Sequence, residues 1–204
     1  MDSSASAPDH QHEHNHQHDH GHAPGPVADA SVRIARATDA PAVGLVQSVV
    51  WREAYAALLP AEVVAQFEPR EFTNAWRSSL ENPPSRDHLL LVACAGEQVV
   101  GFAAVAPSGD PDLADDGAEL LVLGVHPEAR RQGHGSRLLN AAVDTARGRG
   151  RRSLATWILA EADELRSFLH SAGLESDGAQ RERVVSSDGA TVWEVRLGAS
   201  VMQE

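Results

Sequence analysis

The 204-residue chain sets 29 acidic residues against 17 basic ones, every one of the 17 an arginine, for a formal charge of −12. Such a balance argues against nucleic acid as a partner, which needs a basic footprint, and is compatible with a cationic acceptor. Hydrophobic residues make up 42% of the chain, which suits a globular core, and no apolar run is long enough to span a bilayer. No charged-then-apolar leader opens the sequence, so a cytoplasmic protein with no membrane partner is expected. The single cysteine, Cys94, closes the apolar run 89–94 and reads as a small core residue.

Residues 1–30 are rich in Ser, Pro, Gly, His and Asp and poor in groups to bury, so this stretch is expected to be disordered. Within it His10, His12, His14, His16, His18, His20 and His22 alternate with polar residues. The pattern suits a flexible polydentate tract for Zn²⁺, Ni²⁺ or Cu²⁺, whose ligands would be neutral imidazoles. A folded domain is expected over 31–200. Val32 to Ala37 alternates as an opening strand. Thr38 or Asp39 can cap a helix with Pro41 in its first turn, running through Val43, Val46, Val50 and Tyr55 towards Leu59-Pro60. Shorter helices are expected over 61–67 and 70–80, before Asn82-Pro83-Pro84.

Two apolar stretches, 88–95 and 98–106, joined by Ala95-Gly96-Glu97, read as a hairpin. A polar loop over 107–117 leads to a strand over 118–126. A loop from Glu128 to Gly133 then opens a helix that carries Leu138, Leu139, Ala142, Val143 and Ala146 at helical spacing. A strand over 153–159, a helix over 161–171 with Gly173 as its C-cap, and two strands near 181–186 and 191–197 complete the order. Asp188-Gly189 marks the last hairpin. Strand–helix–strand stretches beside hairpins imply an α/β fold. Its central sheet should be mixed, mostly antiparallel, of about seven strands, with helices on both faces.

Arg130-Arg131-Gln132-Gly133-His134-Gly135 lies between a strand and a helix. The first amides of a helix lack internal partners and carry partial positive charge, so they attract anions. Gly133 and Gly135 let backbone approach a phosphate, and Arg130 and Arg131 offer donors that match its oxygens. The combination suits a pyrophosphate. The stretch from Glu119 to Leu139 around it resembles the acetyl-CoA-binding motif of the GNAT N-acetyltransferase superfamily. The likeness extends from Val32 to Leu197: Trp51 to Tyr55 followed by Leu58-Leu59-Pro60 is similar to the first helix and turn of many members. Phe168 and Gly173-Leu174 resemble the late helix motif.

The resemblance implies an acetyl-CoA-dependent N-acetyltransferase in which an amine attacks the thioester directly. Leu123, Gly124 and Val125 match the strand that pairs with the pantetheine arm, with an amide such as that of Leu123 placed to polarise the thioester carbonyl. The amides from Gln132 to Ser136 would take the pyrophosphate. Glu119 matches the glutamate that many relatives use as a base, with Asp115 and Asp116 as weaker substitutes. Many relatives place a tyrosine after the Phe168 equivalent to protonate the leaving thiolate; here that residue is Leu169. His170 is the neighbouring candidate acid, and Tyr55 and water are others. Trp51, Tyr55 and Trp157 are candidates to line the cleft for a small-molecule or protein amine. Open sheet edges would allow a homodimer. Two competing readings stand beside this one: a non-catalytic acyl-CoA-binding sensor, favoured by Leu169, and a metal-binding protein acting through the histidine tail.

Overall fold

The computed structural model describes residues 30–186 and 189–202. The histidine tract from His10 to His22 and the expected turn residue Asp188 lie outside the described residues. The strands are β1 (Ala30–Ile34), β2 (Leu89–Ala95), β3 (Gln98–Pro107), β4 (Gly117–Val125), β5 (Ser153–Leu159), β6 (Glu175–Val184) and β7 (Thr191–Ser200). The helices are α1 (Ala40–Tyr55), α2 (Ala61–Val64), α3 (Pro69–Glu81), α4 (His134–Gly148) and α5 (Asp163–Ser171). The strands form one seven-stranded sheet in the order β1-β2-β3-β4-β5-β7-β6. All its pairings are antiparallel except β4 with β5. The mixed, mostly antiparallel sheet expected from the sequence is the one found.

The two faces of the sheet are buried separately. Leu91, Ala103, Leu120, Leu154 and Leu197 meet Leu138, Leu139 and Ala142 of α4 and Leu169 of α5 on one side. Val92, Phe102 and Ala104 meet Val43 and Val46 of α1 on the other. Alternation along each strand sends neighbouring residues to opposite faces, so both sets come from the same strands. A third cluster, around Tyr55, Leu59, Val63 and Val192, closes the end of the sheet beneath α1 and α2.

Several boundaries differ from the sequence reading. β1 stops at Ile34 because the Asp39 carboxylate accepts from the Arg36 amide and from both terminal nitrogens of Arg33, at 2.7–2.8 Å, which folds 37–39 into a tight turn. Asp39 therefore braces the chain before α1 and makes no side-chain cap to the helix itself. α2 ends at Val64, since Pro69 begins a new helix after only a short connection. β6 starts at Glu175, well before Arg181, as an edge strand of exposed polar residues with an irregularity between Ser176 and Gln180, where Gly178 has φ 83°. Polar composition hid it, because an edge strand needs no alternating apolar face.

The feature that positions the site is the junction of β4 and β5. They pair only over Gly117–Glu119 opposite Ser153–Ala155. Beyond it β4 bulges against β3 between Leu120 and Val122 and turns away from β5. The Thr156 hydroxyl donates to the Leu120 carbonyl at 2.8 Å and fixes the point of divergence. Gly124 lies past the bulge against Phe102; a Cβ there would stand 2.9 Å from the Phe102 ring. Phe102 is fully buried, so its ring can move only by displacing the core around it. Gly124→Ala is therefore expected to lower stability by about 1–3 kcal/mol through overpacking, read as a shift of the urea midpoint at unchanged slope. A midpoint equal to the wild type would show that the strand gives way freely here.

Candidate active site

The open edge of β4 follows from its hydrogen bonding. The His126 amide donates to the Val100 carbonyl at 2.8 Å, so by alternation Gly124 and Val122 direct their amides to β3. Leu123 and Val125 then direct theirs away from β3, into the gap left by β5. The Val125 carbonyl confirms the direction by accepting from Arg130 Nε at 3.3 Å across that gap.

The loop that ends the edge makes its turn with two left-handed residues, Arg131 at φ 63° and Gly133 at φ 81°. Only Gly takes that conformation without a Cβ penalty, which gives Gly133 its role as the residue before α4. The Arg137 amide bonds the Gly133 carbonyl at 3.1 Å, so the amides of His134, Gly135 and Ser136 have no carbonyl within the helix. Arg137 also folds back, donating to the Gln132 carbonyl at 3.1 Å beside Gly133. It is a cation at this loop that sequence reasoning missed. His134 is 3% exposed, and its Nδ1 has no hydrogen-bond partner among the described residues. Burial, reinforced by Arg137, holds its pKa below the usual histidine value, so the ring is neutral. Gly135 faces the Phe168 ring.

Arg130 is engaged differently from the sequence expectation. Its guanidinium makes a two-pronged pair with Glu53 of α1, at 2.9 and 2.5 Å. It ties the loop to the first helix and is not a free donor for phosphate; Arg131, exposed, is the one left open.

At the mouth of the splay, Glu119 is half-buried on the α1–α2 face, and no hydrogen bond or ion pair engages its carboxylate among the described residues. Burial raises its pKa above the ordinary glutamate value; Arg181 opposes the rise, and the carboxylates of Asp110 and Glu194 add to it. Asp115 and Asp116, the weaker alternatives, lie in the loop beyond, where Asp116 pairs with Arg152 at 3.5 Å.

Around Glu119 the same face carries a charged network that the sequence reading did not assemble. Glu194 of β7 is 4% exposed and accepts from Arg181 Nε and Arg183 Nε of β6, each at 2.7 Å. Arg183 Nη2 donates to the Tyr55 hydroxyl at 2.7 Å. Arg196 of β7 is held by Asp110 at 2.8 Å and Asp177 at 2.7 Å. Burial alone would raise Asp110, but the Asp112 amide and Arg196 hold it below the usual range. Trp157 Nε1 donates to the same Asp110 carboxylate at 3.2 Å, and the Arg181 guanidinium sits 4.2 Å from the centre of its ring. The available signal was spacing: Arg181 and Arg183, and Glu194 and Arg196, are each two apart in strands, and so share a face.

Of the three cleft candidates, Tyr55 and Trp157 both join this network. Burial raises the Tyr55 pKa, so its phenol stays protonated. Trp51 stands behind, edge-on to Tyr55, Phe67 and Phe72 at centroid distances of 5.7, 5.7 and 5.1 Å. His170 is apart from the network: it is 63% exposed and pairs with Glu175 at 3.0 Å. Leu169 is 1% exposed and packs in the α4–α5 core. The helix turns the two residues by about 100°, which sends one into the core and the other into solvent.

Comparison with known proteins agrees with this architecture. Residues 51–173 match the model of the acetyltransferase (GNAT) family, well over half of the chain, and the chain belongs to that family. It is an acyltransferase by class. Among solved structures it is similar to the PaiA N-acetyltransferase of Thermoplasma acidophilum in complex with coenzyme A, at 20% identity and TM-score 0.60, over 81% of this chain and 97% of that one. YncA of Salmonella typhimurium with its cofactor acetyl-CoA aligns at 18% identity and TM-score 0.59, over 86% and 95%. The ribosomal-protein-alanine N-acetyltransferase of Brucella melitensis aligns at 25% identity and TM-score 0.60, over 83% and 99%. No curated protein sequence matches.

Glu194 is the anion on which two guanidiniums of this face depend. Removing one member of a buried ion-pair network leaves uncompensated charge. Glu194→Ala is expected to cost about 3 kcal/mol, measured by denaturant unfolding. A loss below about 0.5 kcal/mol, the scale of an exposed pair, would mean the network contributes nothing to the fold.

Proposed function

We propose that the chain transfers the acetyl group of acetyl-CoA to a primary amine, with the splayed β4 edge and the start of α4 as the coenzyme site and Glu119 as the base. One observation carries this reading. The unpaired edge of β4 runs without a break from a free, half-buried carboxylate at one end to a loop of unpartnered amides at the other. That arrangement fits a long thioester with an anionic end. The amides from Gln132 to Ser136, with Arg131 and Arg137 beside them, would take the pyrophosphate. The Leu123 and Val125 edge would pair with the pantetheine amides as a strand does. The Leu123 amide is the donor best directed at the thioester carbonyl, where negative charge develops as the amine adds.

The acceptor enters from the α1–α2 face. Its nitrogen attacks the carbonyl carbon, the carbon–sulfur bond breaks, and the amine proton passes to Glu119. Sulfur leaves as the thiolate. A thiol titrates near pH 8.5, so the anion is a tolerable leaving group with water as its proton source. The placements of Leu169 and His170 support a mechanism in which neither residue protonates the thiolate.

Glu119→Gln tests the base. Removing a positioned general base is expected to lower kcat by roughly 10²- to 10⁴-fold. The base acts when ionised, so wild-type kcat rises with pH through the raised Glu119 value, and the variant loses that limb. The same shift sets the stability outcome. Stability from protonated Glu119 is present below the ordinary carboxylate pKa and lost as pH rises through the raised one. At neutral pH the neutral glutamine therefore melts no lower than the wild type. Retention of wild-type kcat and pH profile in Glu119→Gln would remove Glu119 from the mechanism.

A further inference from the structure

We propose that the acceptor amine also carries a carboxylate, and that Arg181, backed by Arg183, holds it. The proposal rests on the acetyltransferase reading above and assigns the substrate class of the same site. Arg181 uses only Nε on Glu194; its two terminal nitrogens have no partner among the described residues, and its side chain is 43% exposed. The guanidinium is fixed from two sides, by Glu194 and by the Trp157 ring at 4.2 Å. Arg183 is held by Glu194 and the Tyr55 hydroxyl, which leaves its Nη1 without a partner among the described residues. Two cations thus share one carboxylate. The neighbouring Arg196, by contrast, has two carboxylates to itself, Asp110 and Asp177, and its side chain is 8% exposed.

The unused donors of Arg181 fall on the acceptor's side of the sheet, the side that also carries Glu119. A preformed two-nitrogen edge of this kind matches a carboxylate in geometry as well as charge. The carboxylate of an amino acid laid on Arg181 would leave its amine towards Glu119, because Glu119 pairs with Ala155, which lies two residues from Trp157 along β5 and on the same face, and the Trp157 ring carries the Arg181 guanidinium.

The experiment is thiol release from saturating acetyl-CoA with the common α-amino acids, each against its amide and its decarboxylated amine. The α-amine of an amide is the less basic, so more of it is free base, and a preference for the acid cannot come from amine ionisation. At least one acid is expected to exceed both its partners by about tenfold or more in kcat/KM, the scale of a charge-assisted hydrogen bond. Arg181→Gln is expected to raise KM for that acid by a similar factor, with KM for acetyl-CoA unchanged and kcat changed little on the high-pH plateau where Glu119 is ionised. Arg181→Lys keeps the charge but not the fork; it should fall between, and it carries the comparison if Arg181→Gln melts early. Amides or simple amines that equal the acids would overturn the proposal and leave the acetyltransferase reading intact. So would a preference for acids that survives in both variants. Absence of thiol release with every amine would overturn the acetyltransferase reading and this proposal with it.

Discussion

The structure turns on the short pairing of β4 with β5. Two strands that stayed parallel along their length would satisfy each other's backbone and leave nothing for a ligand. Here they hold together for three residues, Gly117–Glu119 with Ser153–Ala155, and then part. The parting is enforced by local means: a bulge opposite Ala104–Val105, the Thr156 bond to the Leu120 carbonyl, and a crowded Gly124 against Phe102. Unpaired amides in a sheet are costly unless something satisfies them. Their exposure along one edge explains why the loop, the helix start and Glu119 all gather around the same gap.

The two faces of the sheet divide the labour. The α4–α5 side is apolar up to the sheet, with Leu169 inside it, and contributes the helix start at His134. The α1–α2 side gathers the titratable groups. Glu194 and Asp110 anchor three arginines there, and every one of those contacts joins residues distant in sequence or in different strands. Glu119 sits where the two halves meet. Its raised pKa has the same origin as its position: burial at the narrow end of the splay raises it, Arg181 opposes the rise, and two other carboxylates add to it.

Much of this was legible in the chain. Apolar periodicity places α1, α4 and β2 to β5, and the glycines at 133 and 135 mark the turn into α4. Those signals are local, because period and φ are properties of a few consecutive residues. The charged face was not legible as a site. Arg183 meets Tyr55 across 128 positions, Arg196 meets Asp110 across 86, and Arg130 meets Glu53 across 77, and no local rule pairs them. The last of these adds a structural partner to a residue that the sequence offers as a phosphate donor. The fate of His170 has a local cause instead. Adjacency to Leu169 in sequence suggested a substitute acid, while the helix directs the two side chains to opposite environments.

The central claim is that the outward amides of β4 are the backbone donors for acetyl-CoA. Residue-resolved hydrogen exchange with and without saturating acetyl-CoA tests it most directly. Leu123 and Val125 should exchange quickly in the free protein and become strongly protected with the ligand, while Gly124, already bonded to β3, changes little. Protection confined to α4, or unchanged exchange at Leu123 and Val125 when acetyl-CoA is bound, would contradict the account.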